Sequence, residues 1–374
     1  MRLSYEQQQY LRERFNTDRL WSYSRVSTYL EHPWEYRIVY VEKLTRSSNV
    51  YTHFGTICHD IIQDHYDGKY DYDKMQELYE DAILEWRMDN KGYTFMNKNI
   101  ESGYVDNLAD YFKNTEIVPY KVKNESPVCV NFWDEKRQKN VTFIGYLDSE
   151  YIDDEGIFNI VDYKSSSKSS FSGKKLKDAS KQLKLYAIGI HQARGIPYEK
   201  IRLRYDLMKY YEVFYLQKNG KWKGSKQERA KWVASQEKKI RTILLDNDVD
   251  IFDIDEMVEM SIASNTIENL PDFVKEKFQL KNCYIDVTIS EEEAKELEQL
   301  LVETVAEIEE KEAMDDLDEA FPEERIDETN EFYYTQLSPQ VLKFNKGYQD
   351  KLAMMEVGRR LTPEQELDIN SLFG

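Results

Sequence analysis

No stretch of the chain approaches the ~18 uninterrupted apolar residues that a membrane-spanning helix needs, and the start, MRLSYEQQQYLRER, has no apolar run of signal-peptide type. These absences predict a cytoplasmic protein without membrane contact. Cysteine is scarce. Cys58, Cys129 and Cys283 are odd in number, far apart and never in a C-x-x-C pair, which supports neither a disulfide framework nor a cysteine zinc site and leaves them as reduced, buried small hydrophobes. Equally missing are G-x-x-x-x-G-K-[ST], G-x-G-x-x-G, G-x-S-x-G and H-E-x-x-H. P-loop nucleotide hydrolysis, dinucleotide binding, serine hydrolysis and zincin proteolysis therefore lose their usual signatures.

What is present begins with charge. The 374 residues carry a formal net charge of −19, but residues 286–331 alone hold 20 acidic and 3 basic side chains. The rest of the chain is nearly neutral, so a polyanionic partner stays open despite the bulk charge. With 41% hydrophobic residues, the chain is long enough for a sizeable core and more than one folded unit.

The first third has helical spacing. Val26, Tyr29, Leu30, Trp34 and Ile38 share a stripe interrupted by Pro33, which predicts two short helices or a kinked one. Ile57, Ile61 and Ile62, then Leu78, Ile83, Leu84 and Trp86, then Tyr104, Leu108, Tyr111 and Phe112 repeat the pattern. From about Val128 the period shortens to two, over 128–132, 141–148 and 157–164, with charged turns between, as in a three-stranded meander. A Ser/Lys stretch leads to a helix at 182–193 ended by Gly195-Ile196-Pro197, followed by a strand at 201–207 and a second at 213–216. Residues 283–289 are strand-like, and Ser290 with Glu293 forms a capping box opening an acidic helix to about Met314. The expected organisation is an amino-terminal extension (1–20) and a core (21–216, helical over 21–116, sheet and helix over 117–216). A helical basic insertion (217–282), a final strand with the acidic helix (283–314), and a mobile acidic linker with the carboxyl-terminal segment (315–374) follow.

Polar residues end the apolar strands. Asp148 closes one, and Asp162 and Lys164 stand at i and i+2 on the next, so carboxylate and ammonium project from one face. Two carboxylates from neighbouring strands can hold a hard cation such as Mg²⁺ or Mn²⁺, while the lysine orients water or offsets developing phosphoryl charge. A D-x-K alone is common in acidic surface turns. Upstream, His59 is expected near a helix start, although a lone histidine is more often structural. Downstream, Gln182 and Tyr186 share a helix face at i and i+4.

In order, G-T-x-x-H at 55–59, G-x-x-D at 145–148, D-Y-K at 162–164 and Q-x-x-x-Y at 182–186 resemble the PD-(D/E)-x-K nucleases of RecB type, a group that includes the CRISPR-associated RecB-like exonucleases. The likeness extends to Ser24-Arg25-Val26-Ser27-Thr28-Tyr29-Leu30-Glu31-His32-Pro33-Trp34-Glu35-Tyr36, which resembles that family's S-R-x-x-x-Y-x-x-C-P-x-x-Y/F opening. The resemblance implies an α/β, restriction-endonuclease-like core: a small mixed β-sheet flanked by helices. It implies His59, Asp148 and Asp162 as ligands of Mg²⁺ or Mn²⁺, with the Tyr163 backbone carbonyl as a further ligand. Lys164 would be the catalytic lysine, and Gln182 and Tyr186 would position the strand or the lysine. The implied activity is a metal-dependent DNA exonuclease of recombination, repair or replication, acting on single-stranded or duplex ends. A structure-specific endonuclease of the same fold and a non-catalytic nucleic-acid-binding or assembly subunit are the alternatives.

One departure stands out. Many relatives carry a four-cysteine iron–sulfur cluster whose first ligand is the Cys of C-P. Here that position is His32, and the region from Phe332 to Tyr348 has no cysteine, so no cluster is expected and the two ends should be clamped by packing through Phe332 and the tyrosines. Lys164, Lys168, Lys174, Lys175, Lys177, Lys181 and Lys184, opposed only by Asp178, offer a phosphate-binding surface. Residues 218–241, with nine Lys/Arg, Trp222 and Trp232, offer a second, and the acidic stretch 286–331 a surface for a protein partner. The Tyr- and Lys-rich composition suits a low-GC bacterium or its phage.

Overall fold

The computed structural model describes residues 3–45, 48–89 and 92–360, so positions 361–374 of the expected carboxyl-terminal segment lie outside the described residues. Up to residue 114 the chain is almost all helix. After α1 (Tyr5–Phe15) and the short strand β1 (Leu20–Trp21), the Ser22 hydroxyl caps α2 (Tyr23–Glu31) by accepting from the Arg25 amide. His32 interrupts, and Pro33 starts α3 (Pro33–Tyr36), a place where its missing N–H costs nothing. Three 17-residue helices follow, α4 (Val50–Tyr66), α5 (Tyr72–Met88) and α6 (Lys98–Asn114).

The period-two region is an antiparallel meander of β2 (Lys123–Asp134), β3 (Lys139–Ile152) and β4 (Phe158–Lys164), with Val130 opposite Phe143 and Ser149 opposite Val161. The chain then crosses over through α7 (Gly173–Ala179) and α8 (Lys181–Arg194) and returns as β5 (Ile201–Leu216), parallel to β4, with Asp162 opposite Tyr205 and Lys164 opposite Leu207. The two strands expected at 201–207 and 213–216 are thus one; an irregularity in pairing between Asp206 and Tyr211 breaks the alternation without ending the strand. The insertion expected to be helical also contains an edge strand, β6 (Trp222–Glu228), before α9 (Trp232–Asp246), α10 (Ile251–Ser264) and α11 (Asp272–Lys275). β7 (Phe278–Val287) completes a seven-stranded mixed sheet of order β1-β3-β4-β5-β6, in which β2 pairs with β3 and β7 with β5. The capping box of Ser290 and Glu293 opens α12 (Glu291–Glu312), and α13 (Leu317–Ala320), α14 (Pro339–Leu342) and α15 (Lys346–Arg360) end the described chain.

Helices cover both faces of the sheet. On one, Leu183 and Ile190 of α8 and Leu301 and Val305 of α12 pack on Phe143, Ile160 and Leu203. On the other, Phe54, Cys58, Tyr79, Leu108 and Phe112 of α4–α6 pack on Val161 and Tyr163, and the far half of β5 is backed by α9–α11.

Residues 315–329 do not form the expected mobile linker. Phe321 is fully buried, its ring 5.8 Å from that of Tyr36, and Ala320 is buried beside it. Leu317 packs against the same core and Ile326 against the small one around Trp34, so sparse apolar side chains anchor a largely charged segment. Much of the acidic stretch expected to serve a partner is spent inside the molecule: Glu312 takes Arg19 at 2.6 Å and Arg25 at 2.8 Å, and Glu293 takes Lys184 at 2.7 Å. At the position where relatives begin an iron–sulfur cluster, His32 stacks on Tyr333 at 3.9 Å and Trp34, Ile38, Tyr334, Val341 and Leu342 form a small apolar core. Buried Glu35 accepts hydrogen bonds from Tyr333 Oη at 2.7 Å and Ser338 Oγ at 2.5 Å. Tyrosines clasp the ends as expected, but Phe332 takes no part: it is 53% exposed.

Candidate active site

Three elements bring the sequence-derived residues together. β3 carries Asp148, β4 carries Asp162, Tyr163 and Lys164, and α4 supplies His59. His59 lies in the middle of α4, not near its start: the helix begins at Val50 under an Asn49 cap, although Tyr51-Thr52-His53-Phe54 reads as poor helix former. His59 Nε2 donates to the Tyr163 carbonyl at 2.9 Å, which places Nδ1 3.5 Å from Asp148 Oδ2. The Tyr163 amide donates to the same carboxylate oxygen at 3.2 Å. Lys164 Nζ is 2.7 Å from Asp162 Oδ1.

The electrostatics follow from crowding two carboxylates into a half-closed site. Burial and the adjacent Asp162 charge push the Asp148 carboxyl well above its ordinary pKa, with His59 and Lys164 pulling against them. Burial opposes the Lys164 ammonium, but Asp162 and Asp148 outweigh it and hold the lysine charged above its usual value. Burial also lifts Tyr186 to about 12, so its hydroxyl stays neutral while it accepts from Gln182 Nε2 at 2.8 Å. Gly145 explains how α8 approaches β3 so closely: a Cβ there would meet the Tyr186 ring at 2.3 Å.

These residues fit a hard cation in their donor chemistry. Asp162 Oδ1 is buried and has no aligned hydrogen bond, although Lys164 Nζ is within ion-pair distance. A buried carboxylate oxygen left so is costly unless a cation shares it. Two carboxylates, a backbone carbonyl and an imidazole suit Mg²⁺ or Mn²⁺. Among the described residues no three His, Cys, Asp or Glu side chains converge as a finished cage.

Beside Lys164 opens a cleft of about 580 Å³, lined by Tyr23, Ser27 and Glu31 of α2, by Ser170, Phe171 and Lys175, and by Gln182 and Tyr205. Tyr205 was not singled out in the sequence. Its ring, 5.9 Å from Lys164 Nζ, reaches the site only through the parallel pairing of β4 with β5, which no local pattern announces. Ser27 and Glu31 were not singled out either, although their i and i+4 spacing on one helix face within the amino-terminal motif could have shown them. Of the two basic stretches, 164–184 keeps Lys164 and Lys175 on the cleft, while Lys181 is drawn to Asp178 at 2.9 Å. The 218–241 stretch needs correction: Trp232 is 3% exposed and Arg229 fully buried, so neither is a nucleic-acid contact.

Asp148 does not close its strand as expected, since β3 runs on to Ile152; it lies within β3 beside Ser149, which pairs with Val161 of β4, and Lys164 ends β4. An open mixed sheet with helices on both faces defines the restriction-endonuclease-like class of α/β protein. A family model described as the PD-(D/E)XK nuclease superfamily matches residues 20–320, from β1 to α13. The chain belongs to the PD-(D/E)XK nuclease superfamily, whose members are typically nucleases dependent on divalent metal. A search of curated proteins returned no match. No described helix is long and apolar enough to cross a membrane.

Proposed function

We propose that the protein is a metal-dependent DNA exonuclease of RecB-like type that hydrolyses phosphodiester bonds in recombination, repair or replication. The observation that supports this reading is the meeting of Asp148, Asp162 and Lys164 with His59 and the Tyr163 carbonyl beside a cleft with lysines on its wall. Asp148, Asp162, His59 and the Tyr163 carbonyl would hold Mg²⁺ or Mn²⁺, which when bound would supply Lewis acidity and lower the pKa of a water so that its hydroxide form can attack phosphorus. Lys164, kept charged by the two carboxylates, orients the attacking water and offsets the negative charge that grows on the phosphoryl oxygens. Gln182 and Tyr186 act as one hydrogen-bonded pair on α8 and position the strand against the lysine. Lys175 neutralises a neighbouring phosphate, and Tyr23 and Tyr205 bound the cleft with apolar ring faces.

Digestion of end-labelled single- and double-stranded DNA with Mn²⁺ or Mg²⁺ tests this reading. Mononucleotides or short products released from an end are expected, with closed circular single strands left intact. Cutting of the circle moves the assignment to an endonuclease of the same fold. Full activity of Asp162→Ala in a preparation free of host nucleases refutes the site.

A further inference from the structure

The sheet face that bears Asp162 and Lys164 continues beyond the cleft. Tyr205 and Leu207 extend it, opposite those two residues in the β4–β5 register, and the irregularity before Tyr211 returns Tyr210 to the same side, in the same core as Tyr205 and Leu207. From there the strand alternates: Tyr211 and Val213 turn to α9–α11, while Glu212, Phe214 and Leu216 point the other way. Glu212 is flanked by Lys226 of β6 and Lys281 of β7, Phe214 by Gly224 and Gln279, and Leu216 by Trp222.

The Phe214 ring lies over Gly224, where a Cβ would come within 3.0 Å of it. Trp222 is 40% exposed, Gly224, Gln279 and Lys281 are exposed, and Phe214 is half-buried, so this is a solvent-facing aromatic patch and not a core. Lysines border the patch: Lys281 Nζ is 5.6 Å from the Phe214 centroid, and at the cleft end Lys168 Nζ is 5.4 Å from the ring of Tyr210, which is itself buried. Lys168 also donates to the Lys226 carbonyl at 2.8 Å, which ties the segment that follows Lys164 directly to β6.

We propose that the outward face of β5, β6 and β7 is a track for an unpaired DNA strand leading to the cleft; this rests on the nuclease reading above. Half-exposed rings between lysines suit unpaired bases, because every base has a face to stack and every phosphate a charge to neutralise. Lys168, Lys226 and Lys281 outnumber Glu212 and Glu228, the latter opposite Tyr210, on this face.

The test is binding in EDTA, where affinity is read without cleavage. Fluorescence anisotropy with an oligothymidylate of about 15 nucleotides, near the upper end of single-strand site sizes, should show at least ~10-fold weaker binding for Trp222→Ala/Lys226→Ala/Lys281→Ala. The slope of log affinity against log salt should flatten by about 1.4, near 0.7 for each lysine removed, and Lys226→Arg/Lys281→Arg should keep it. In the unmodified protein, an oligonucleotide containing 5-iododeoxyuridine should photo-crosslink to Phe214 or Trp222. Unchanged affinity and slope, or crosslinks confined to other segments, overturn the track even where the parent cuts DNA normally. An equal loss of binding to duplex of the same length overturns its single-strand character. Cleavage by the parent with Mn²⁺, scored separately, tests the nuclease reading.

Discussion

Replacing Gly145 by alanine tests how closely the putting together of β3 and α8 governs turnover. The new methyl group would sit 2.3 Å from Tyr186 Cε1 and 2.8 Å from its Cζ and hydroxyl. Carbon atoms rest at about 3.5–4.0 Å, so the ring must retreat by more than ~1 Å. It has little room, being 8% exposed and hydrogen-bonded to Gln182. Overpacking of this kind costs about 1–3 kcal/mol. With a melting entropy near 2.1 cal/mol/K per residue, 374 residues give ~0.8 kcal/mol/K, so Tm should fall by only roughly 1–4 °C. Activity should fall much further, on the order of 100-fold, because a displacement of ~1 Å in a positioning side chain spoils alignment. Calorimetry and initial rates on end-labelled DNA with Mn²⁺ measure both. In a Tyr186→Ala background the same glycine change has no ring to displace, and its effect on Tm and rate should vanish. Additive losses in the double variant, or full activity of Gly145→Ala, refute the reasoning.

Asp148→Ala and Asp162→Ala should each lower cleavage by more than ~10³-fold, whereas Lys164→Ala should lose cleavage yet retain Mn²⁺ binding by calorimetry, since an ammonium is no ligand; equal loss of metal in all three contradicts the division of roles. His59→Ala should weaken metal affinity and recover part of its rate in excess Mn²⁺, which accepts nitrogen more readily than Mg²⁺. Burial lifts Asp206 from its ordinary 3.8 to about 6, against the pull of Arg229 and the Tyr111 hydrogen bond. The folded state therefore holds this proton more tightly than the unfolded, and the stability it contributes, complete below pH 4, is lost as pH rises through 6, by about 3 kcal/mol. Asp206→Asn should gain on the parent by up to that amount between pH 4 and pH 7 in denaturant titrations, and a pH-independent difference removes the explanation. Trp34→Ala should cost about 3–5 kcal/mol by emptying the small core it shares with Tyr334 and Leu342, read as a drop in the urea midpoint.

The meander and its carboxylates were legible because β2 buries every second residue from Val128 to Phe132, while the apolar run of β4, buried on both faces, still puts Asp162 and Lys164 on one side. The long-range parts were not. β6 reads Trp-Lys-Gly-Ser-Lys-Gln-Glu, with no apolar alternation, because an edge strand with one free flank is held by its ladder to β5 and not by burial of its side chains. β5 looked like two strands because the irregularity after Asp206 shifts the period, and Tyr205 joined the site only through a parallel partner 43 positions away. The segment around Phe321 shows the same limit: Leu317, Ala320, Phe321 and Ile326 anchor an acidic stretch at spacings that match neither a helix nor a strand period.

The clasp between α3 and the segment around Tyr333 sets an order in time. Glu35 and Tyr333 are 298 residues apart, so at ~5–20 residues per second the ribosome takes roughly 15 to 60 s to deliver the second after the first. Throughout that interval Trp34 and Ile38 lack the cover of Tyr334, Val341 and Leu342, and from about its midpoint every residue proposed for the metal and the lysine, from His59 to Tyr186, has been made. A chain truncated in α12 would carry every residue proposed for the site and still leave Trp34 and Ile38 without the cover that residues 334–342 provide.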